Sequence, residues 1–139
     1  MKLVYEVLKD VKNRNLKADK IKILQENESW ALKDILRGSM DSTITWNVPD
    51  GEPPYTPNEA QSVPSNLLRK HKDFRFIVKG GEGDKMRAYE RESKYVQLLE
   101  SIHPEDAKLV IDMVSKKKPP GISKPVVDEA FPGLIREST

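Results

Sequence analysis

The sequence predicts an all-α fold, a single compact multi-helix domain of about six or seven helices. Three observations lead there. Apolar residues recur at helical spacing through most of the chain. Capping and breaking residues cut that pattern into short segments. Only one short stretch alternates as a strand does.

The elements follow in order. Leu3, Val4, Val7, Leu8 and Val11 mark an amphipathic helix over about residues 2–13, broken at Asn13-Arg14-Asn15. Ala18, Ile21, Ile23 and Leu24 mark a second, from about 17 to 26. Asn27-Glu28-Ser29 ends it and caps a third, which carries Trp30, Ala31, Leu32, Ile35 and Leu36. Gly38 reads as the C′ residue that stops this third helix. Tight connections between three short helices imply antiparallel or angled packing.

The pattern then changes. Ser42 to Val48 alternates and is β-prone, hence extended. Residues 49–64 hold Pro49, Pro53, Pro54, Pro57, Pro64 and Gly51, too much proline for helix. A linker between domains is one reading. A loop wrapped over the helical core is preferred, because Ile44, Trp46, Val48 and Tyr55 supply apolar anchors. Ser65 caps a helix holding Leu67 and Leu68, and Phe74, Phe76, Ile77 and Val78 are expected to be buried. Gly80-Gly81-Glu82-Gly83 is a flexible break without the spacing of a nucleotide-binding fingerprint.

The longest helix is expected from Asp84 to about Ile102. Met86, Tyr89, Tyr95 or Val96, Leu98, Leu99 and Ile102 face inward. Pro104-Glu105-Asp106 opens the next helix, with proline in the first turn and acids at the positive dipole end. Leu109, Val110, Met113 and Val114 form its apolar stripe to about Lys116. A Pro119-Pro120-Gly121 turn follows, then a short helix capped by Ser123 and stopped by Pro132-Gly133.

A chain of 139 residues suffices for one domain spanning about 3–135. Lys+Arg is 24 and Asp+Glu is 22, so nucleic-acid affinity has to come from a local patch rather than from the net charge of +2. The absence of cysteine excludes disulfides and thiolate metal sites and suits a reducing cytosol. His103 before Pro104 reads as a helix-start residue rather than a metal ligand. The N-terminus does not read as a signal peptide, and no stretch approaches a membrane span.

Catalysis needs convergent groups. No Gly-x-Ser-x-Gly, His-Glu-x-x-His or P-loop motif occurs. Glu90, Arg91, Glu92 and Lys94 read as a solvated, salt-bridged face, and Asp34 and Asp41 flank Arg37 as possible partners. No enzyme, cofactor or metal is therefore expected.

Two basic clusters remain. Lys116, Lys117, Lys118 and Lys124 bracket the turn before the last helix, whose N-terminus at Gly121, Ile122 and Ser123 suits a phosphate. The first three also read as compensation of the negative end of the preceding helix. Arg69, Lys70, His71, Lys72 and Arg75 form the second cluster, interleaved with Phe74 and Phe76; a solvated helix face over core aromatics is the alternative. Together the clusters suit the phosphate backbone of a duplex.

The order of these motifs resembles the N-terminal DNA-binding domain of ATP-dependent DNA ligases, particularly the T-even phage type. The residues that carry it are Lys17 to Asn27, Leu32 to Arg37, Met40 to Trp46, and above all Gly121-Ile122-Ser123 with Pro132-Gly133-Leu134-Ile135. The whole chain is also similar to small proteins of tailed phages to which no activity is assigned. The resemblance implies a helical fold and a surface that contacts the duplex backbone, with Gly121, Ile122 and Ser123 offering backbone N–H groups to phosphate. The Lys-x-Asp-Gly motif adenylated in ligases is missing, and the chain ends at Thr139, where a ligase continues into its nucleotidyltransferase domain. Adenylation and sealing are accordingly not implied.

The expectation is a non-enzymatic, sequence-independent duplex-DNA-binding accessory protein of phage replication, repair or recombination, cytoplasmic in the infected host cell. The alternative is an adaptor for a sliding clamp, polymerase, ligase or host protein, using the Pro49–Pro64 loop with Tyr55 as its anchor.

Overall fold

In a computed structural model the chain is an all-α protein, described over residues 2–58 and 67–136. These residues form seven α-helices: α1 Val4–Lys12, α2 Lys17–Glu26, α3 Trp30–Met40, α4 Leu67–Lys70, α5 Ala88–Ser101, α6 Pro104–Val114 and α7 Lys124–Ala130. Two 3-10 segments, His71–Phe76 and Glu82–Lys85, lie between α4 and α5. The β-prone stretch contributes one antiparallel bridge, Trp46 to Val78.

Local chemistry sets these boundaries. The Glu6 carboxylate reaches back to accept from the Leu3 N–H at 2.9 Å, which fixes the start of α1. Ser29 Oγ accepts from the Leu32 N–H at 3.1 Å and caps α3. His103 caps α6 with Nδ1, which accepts from the Glu105 N–H at 3.0 Å. Its ring stacks on Tyr5 at 4.6 Å and ties α6 to α1.

The core gathers the inward stripes of α1, α3, α5, α6 and α7 around Leu24, Leu67 and Phe74. α2 packs on α7, α3 on α6, and α1 on α2. α7 therefore lies against the N-terminal hairpin of α1 and α2.

Gly38 corrects the sequence reading of α3. It does not stop the helix, which runs on to Met40. It is buried where α3 crosses α6, and a Cβ there would sit 2.6 Å from both Met113 Sδ and Trp46 Cζ2. A glycine inside a helix costs about 1 kcal/mol against alanine, and close helix packing offsets that cost here. α5 likewise begins at Ala88 rather than Asp84, because a 3-10 turn precedes it. Tyr89, expected inward, is 64% exposed, and of Tyr95 and Val96 it is Tyr95 that fills the core. Phe74 and Ile77 are buried, whereas Phe76 and Val78 are only half-buried. Ser65 and residues 59–64 of the proline-rich loop lie outside the described residues.

The described part of that loop binds the helical body. The Gly51 N–H donates to Ser115 Oγ at 3.0 Å, and the Thr56 N–H to Glu100 Oε2 at 2.8 Å. Trp46, Val48 and Tyr55 pack against the core. Arg91 is not part of a solvated ion-paired face. It donates to the carbonyls of Asn47, Gly83 and Met86 at 2.7, 3.0 and 3.0 Å, and so fastens the extended segment and the second 3-10 turn to α5.

Candidate nucleic-acid interface

The α6–α7 connection begins at Lys116. Its φ of 59° is unusual for a residue with a side chain. The conformation turns the ammonium back onto the C-terminal end of α3, where Nζ donates to the carbonyls of Gly38 and Asp41 at 2.8 Å each. Burial lowers the Lys116 pKa, opposed by the nearby Asp41 charge. Lys116 is thus a helix C-cap delivered from another element, with its ammonium engaged by two neutral carbonyls.

Asp41 completes this junction. It does not pair with Arg37, which takes Asp34 at 2.6 Å. Its buried carboxylate accepts from the Thr43 N–H and hydroxyl and from the Arg136 N–H. Burial works to raise the Asp41 pKa. Those hydrogen bonds and the Lys116 charge outweigh it, and the pKa lies below the ordinary carboxylate value.

Beyond Lys116, Lys117 and Lys118 are exposed and have no ion-pair partner among the described residues. The turn that follows is pressed against the N-terminal hairpin. Gly121 has φ +78°, and a Cβ there would come within 2.9 Å of the Lys12 Cα. Lys20 Nζ donates to the Gly121 carbonyl at 2.6 Å. Lys12 from α1 and Lys20 from α2 thereby join Lys117 and Lys118 around one turn. Lys9 and Arg14 on and beside α1 are exposed and likewise have no ion-pair partner among the described residues. Lys12 and Lys20 were not singled out in the sequence, where they look like ordinary lysines of a solvated face.

The remaining expected residues around this turn fall differently. The Ile122 side chain is 2% exposed and anchors the turn in the core. Ser123 occupies the N-cap of α7 but makes no side-chain cap bond. Lys124 pairs with Asp128 at 2.7 Å.

The second cluster lies across α3. His71 Nδ1 and Asp34 Oδ2 are 2.6 Å apart, and Asp34 Oδ1 accepts from Arg37, so one carboxylate joins α3 to the first 3-10 segment. Arg69 and Lys72 are exposed and Lys70 is half-exposed. Arg75 lies 4.6 Å over the Phe76 ring and 3.6 Å from the Glu82 carboxylate. Lys72 and Arg75 line a cavity of about 470 Å³ with Trp30, Arg37 and Trp46. Ile44 and Trp46 divide it from a neighbouring cavity that Lys116 lines.

Trp30, one of the apolar residues that mark α3 in the sequence, is 63% exposed. The Tyr55 side chain is half-buried against the core, within a loop that is itself bonded to the helices. Among the described residues, no group of three or more His, Asp or Glu side chains is arranged to hold a metal ion. No described helix is long and apolar enough to cross a membrane.

No curated protein and no solved structure matches the chain significantly. A family model matches residues 7–118, from within α1 to the last lysine before the Pro119–Gly121 turn. That match spans most of the sequence, and the chain belongs to the family of unknown function DUF6433.

Proposed function

We propose that this protein is a non-enzymatic, sequence-independent duplex-DNA-binding factor that grips the phosphate backbone through the lysines around the Pro119–Gly121 turn. The observation that carries the reading is the union of Lys12 and Lys20 with Lys117 and Lys118 at that turn. Lys12, Lys117 and Lys118 have no carboxylate partner among the described residues, and Lys20 donates to a neutral carbonyl rather than to a carboxylate. Such a patch suits phosphates, whose recognition needs charge and reach rather than a base-reading element. The resemblance of the Gly121–Ser123 and Pro132–Ile135 segments to the ligase DNA-binding domain points the same way. An accessory role in phage replication, repair or recombination fits a binder without chemistry of its own.

Three or four neutralised phosphates give a log–log salt slope near −3 to −4, at about −0.9 per contact. Fluorescence anisotropy of labelled intact and nicked duplexes across a salt series tests this. Binding at low salt that weakens with that slope, irrespective of sequence, supports the reading. Absence of binding at low salt overturns it and leaves an adaptor role.

A further inference from the structure

Trp30 is the least explained side chain in the protein. It opens α3, yet the α3 core contacts come from Ala31, Leu32, Ile35 and Leu36. Its indole is 63% exposed, and its N–H has no partner among the described residues. A single exposed aromatic is ordinary. What sets this one apart is its setting.

Trp30 stands between two cavities, of about 470 and 540 Å³, and lines both. Arg37 also lines both. Lys33 and Arg37 follow Trp30 at i+3 and i+7, on one face of α3, over roughly 10 Å. Lys33 Nζ lies 4.7 Å from the Trp30 ring centroid. Lys72 and Arg75 line one cavity and Lys33 and Arg136 the other, so five cations with Arg37 flank the indole. Lys33 pairs with Glu28, Arg37 with Asp34 and Arg75 with Glu82, whereas Lys72 and Arg136 have no ion-pair partner among the described residues. Half-buried Trp46 adds aromatic surface on one side, and the buried Phe131 ring underlies the other.

Aromatic faces between cations, along a groove rather than on a flat face, match an unpaired strand. Phosphates follow the cations while an unstacked base lies on the indole. Intact duplex does not offer base faces except at its ends.

We propose that the groove on both sides of Trp30 binds single-stranded DNA, with Trp30 stacking an unpaired base and Lys33, Arg37, Lys72, Arg75 and Arg136 meeting the adjoining phosphates. This rests on the DNA-binding reading and extends it. The lysine turn holds duplex, and the Trp30 groove holds the unpaired strand of a gap, flap or end.

The test uses the full chain and a short oligothymidylate as probe. The protein has two tryptophans, and Trp46 is half-buried with its N–H bonded to the Gly38 carbonyl at 3.0 Å. Trp46 lines the same cavity as Trp30, so the part of the quenching lost in Trp30→Ala is the part that reports on Trp30. Quenching at low salt is expected, and Trp30→Ala should weaken oligothymidylate binding about 5- to 100-fold, the range for loss of one base stack. Trp30→Phe should recover most of it, and duplex affinity should not change in either variant. Lys118→Ala should do the converse, weakening duplex and sparing the oligonucleotide. Single-strand binding that depends on Trp30 while duplex binding is absent would sink the lysine-turn reading and leave this one standing. Absence of quenching by the oligonucleotide, or Trp30→Ala binding it like the parent, overturns the proposal and gives the groove to a protein partner.

Discussion

Lys20 donates from Nζ to the carbonyl oxygen of Gly121 at 2.6 Å, across 101 residues of chain. The contact places the Lys117–Lys118 segment beside the ends of α1 and α2. It changes the character of the basic surface. A run of lysines at a helix end becomes a patch fed by three separate segments.

Lys116 is predicted to act in stability and not in DNA binding. Lys116→Met keeps the aliphatic stem but leaves the Gly38 and Asp41 carbonyls without their ammonium partner. Loss of charged hydrogen bonds of this kind costs about 1–3 kcal/mol. Urea denaturation should show that loss, and the salt slope of duplex binding should not move. A flattened slope with unchanged stability contradicts the assignment.

Gly38→Ala is predicted to destabilise. At an open position inside a helix the same change is favourable by about 1 kcal/mol. Here the new methyl meets Met113 Sδ and Trp46 Cζ2, both 2.6 Å away. Overpacking of this kind costs about 1–3 kcal/mol. The sign of the change in thermal midpoint decides between a packing role and a simple helix stop.

Asp106 makes stability pH-dependent. The Tyr5 N–H donates to Oδ1 at 2.9 Å, while Oδ2 is buried without a partner. Burial pushes the pKa up to about 6, opposed by the Tyr5 hydrogen bond. A carboxyl raised in the folded state binds its proton more tightly there than in the unfolded chain. Its contribution is therefore fully present below about pH 4, falls as pH rises to about 6, and is absent above. The size of the effect is of the order of 3 kcal/mol. Asp41, held low, runs the other way: its contribution is present above its ordinary value and lost only as the pH falls further. Asp106→Asn should flatten the urea midpoint between pH 4 and 6. A profile identical to that of the parent contradicts the account.

Sequence periodicity and breaking residues located α1, α2 and α6 closely, although their N-caps, Leu3, Leu16 and His103, are not the usual capping residues. They failed where a residue answers to a distant partner. Gly38 looks like a helix stop until α6 is laid across it. Lys116 looks like dipole compensation until its ammonium is seen on α3. Arg91 sits among Glu90 and Glu92 and reads as a surface ion pair, yet it serves three loop carbonyls. Of the basic patch, Lys117 and Lys118 were legible as a run. Lys12 and Lys20 were not, because nothing in helical spacing says that α2 packs on α7. Trp30 opens the apolar run of α3 in sequence, yet it lies outside the buried arc, which helical spacing alone did not settle.

The lysine patch is tested most directly by the salt dependence of duplex binding in Lys12→Ala and Lys118→Ala, measured beside the parent protein. The two residues lie far apart in sequence, and folding brings Lys12 against Gly121, in the turn that follows Lys118. Each substitution should weaken every duplex sequence alike and flatten the slope by about one unit, with thermal stability unchanged. A slope that stays at the parental value in both variants would contradict the claim that the turn at Gly121 and the end of α1 form one phosphate-binding surface.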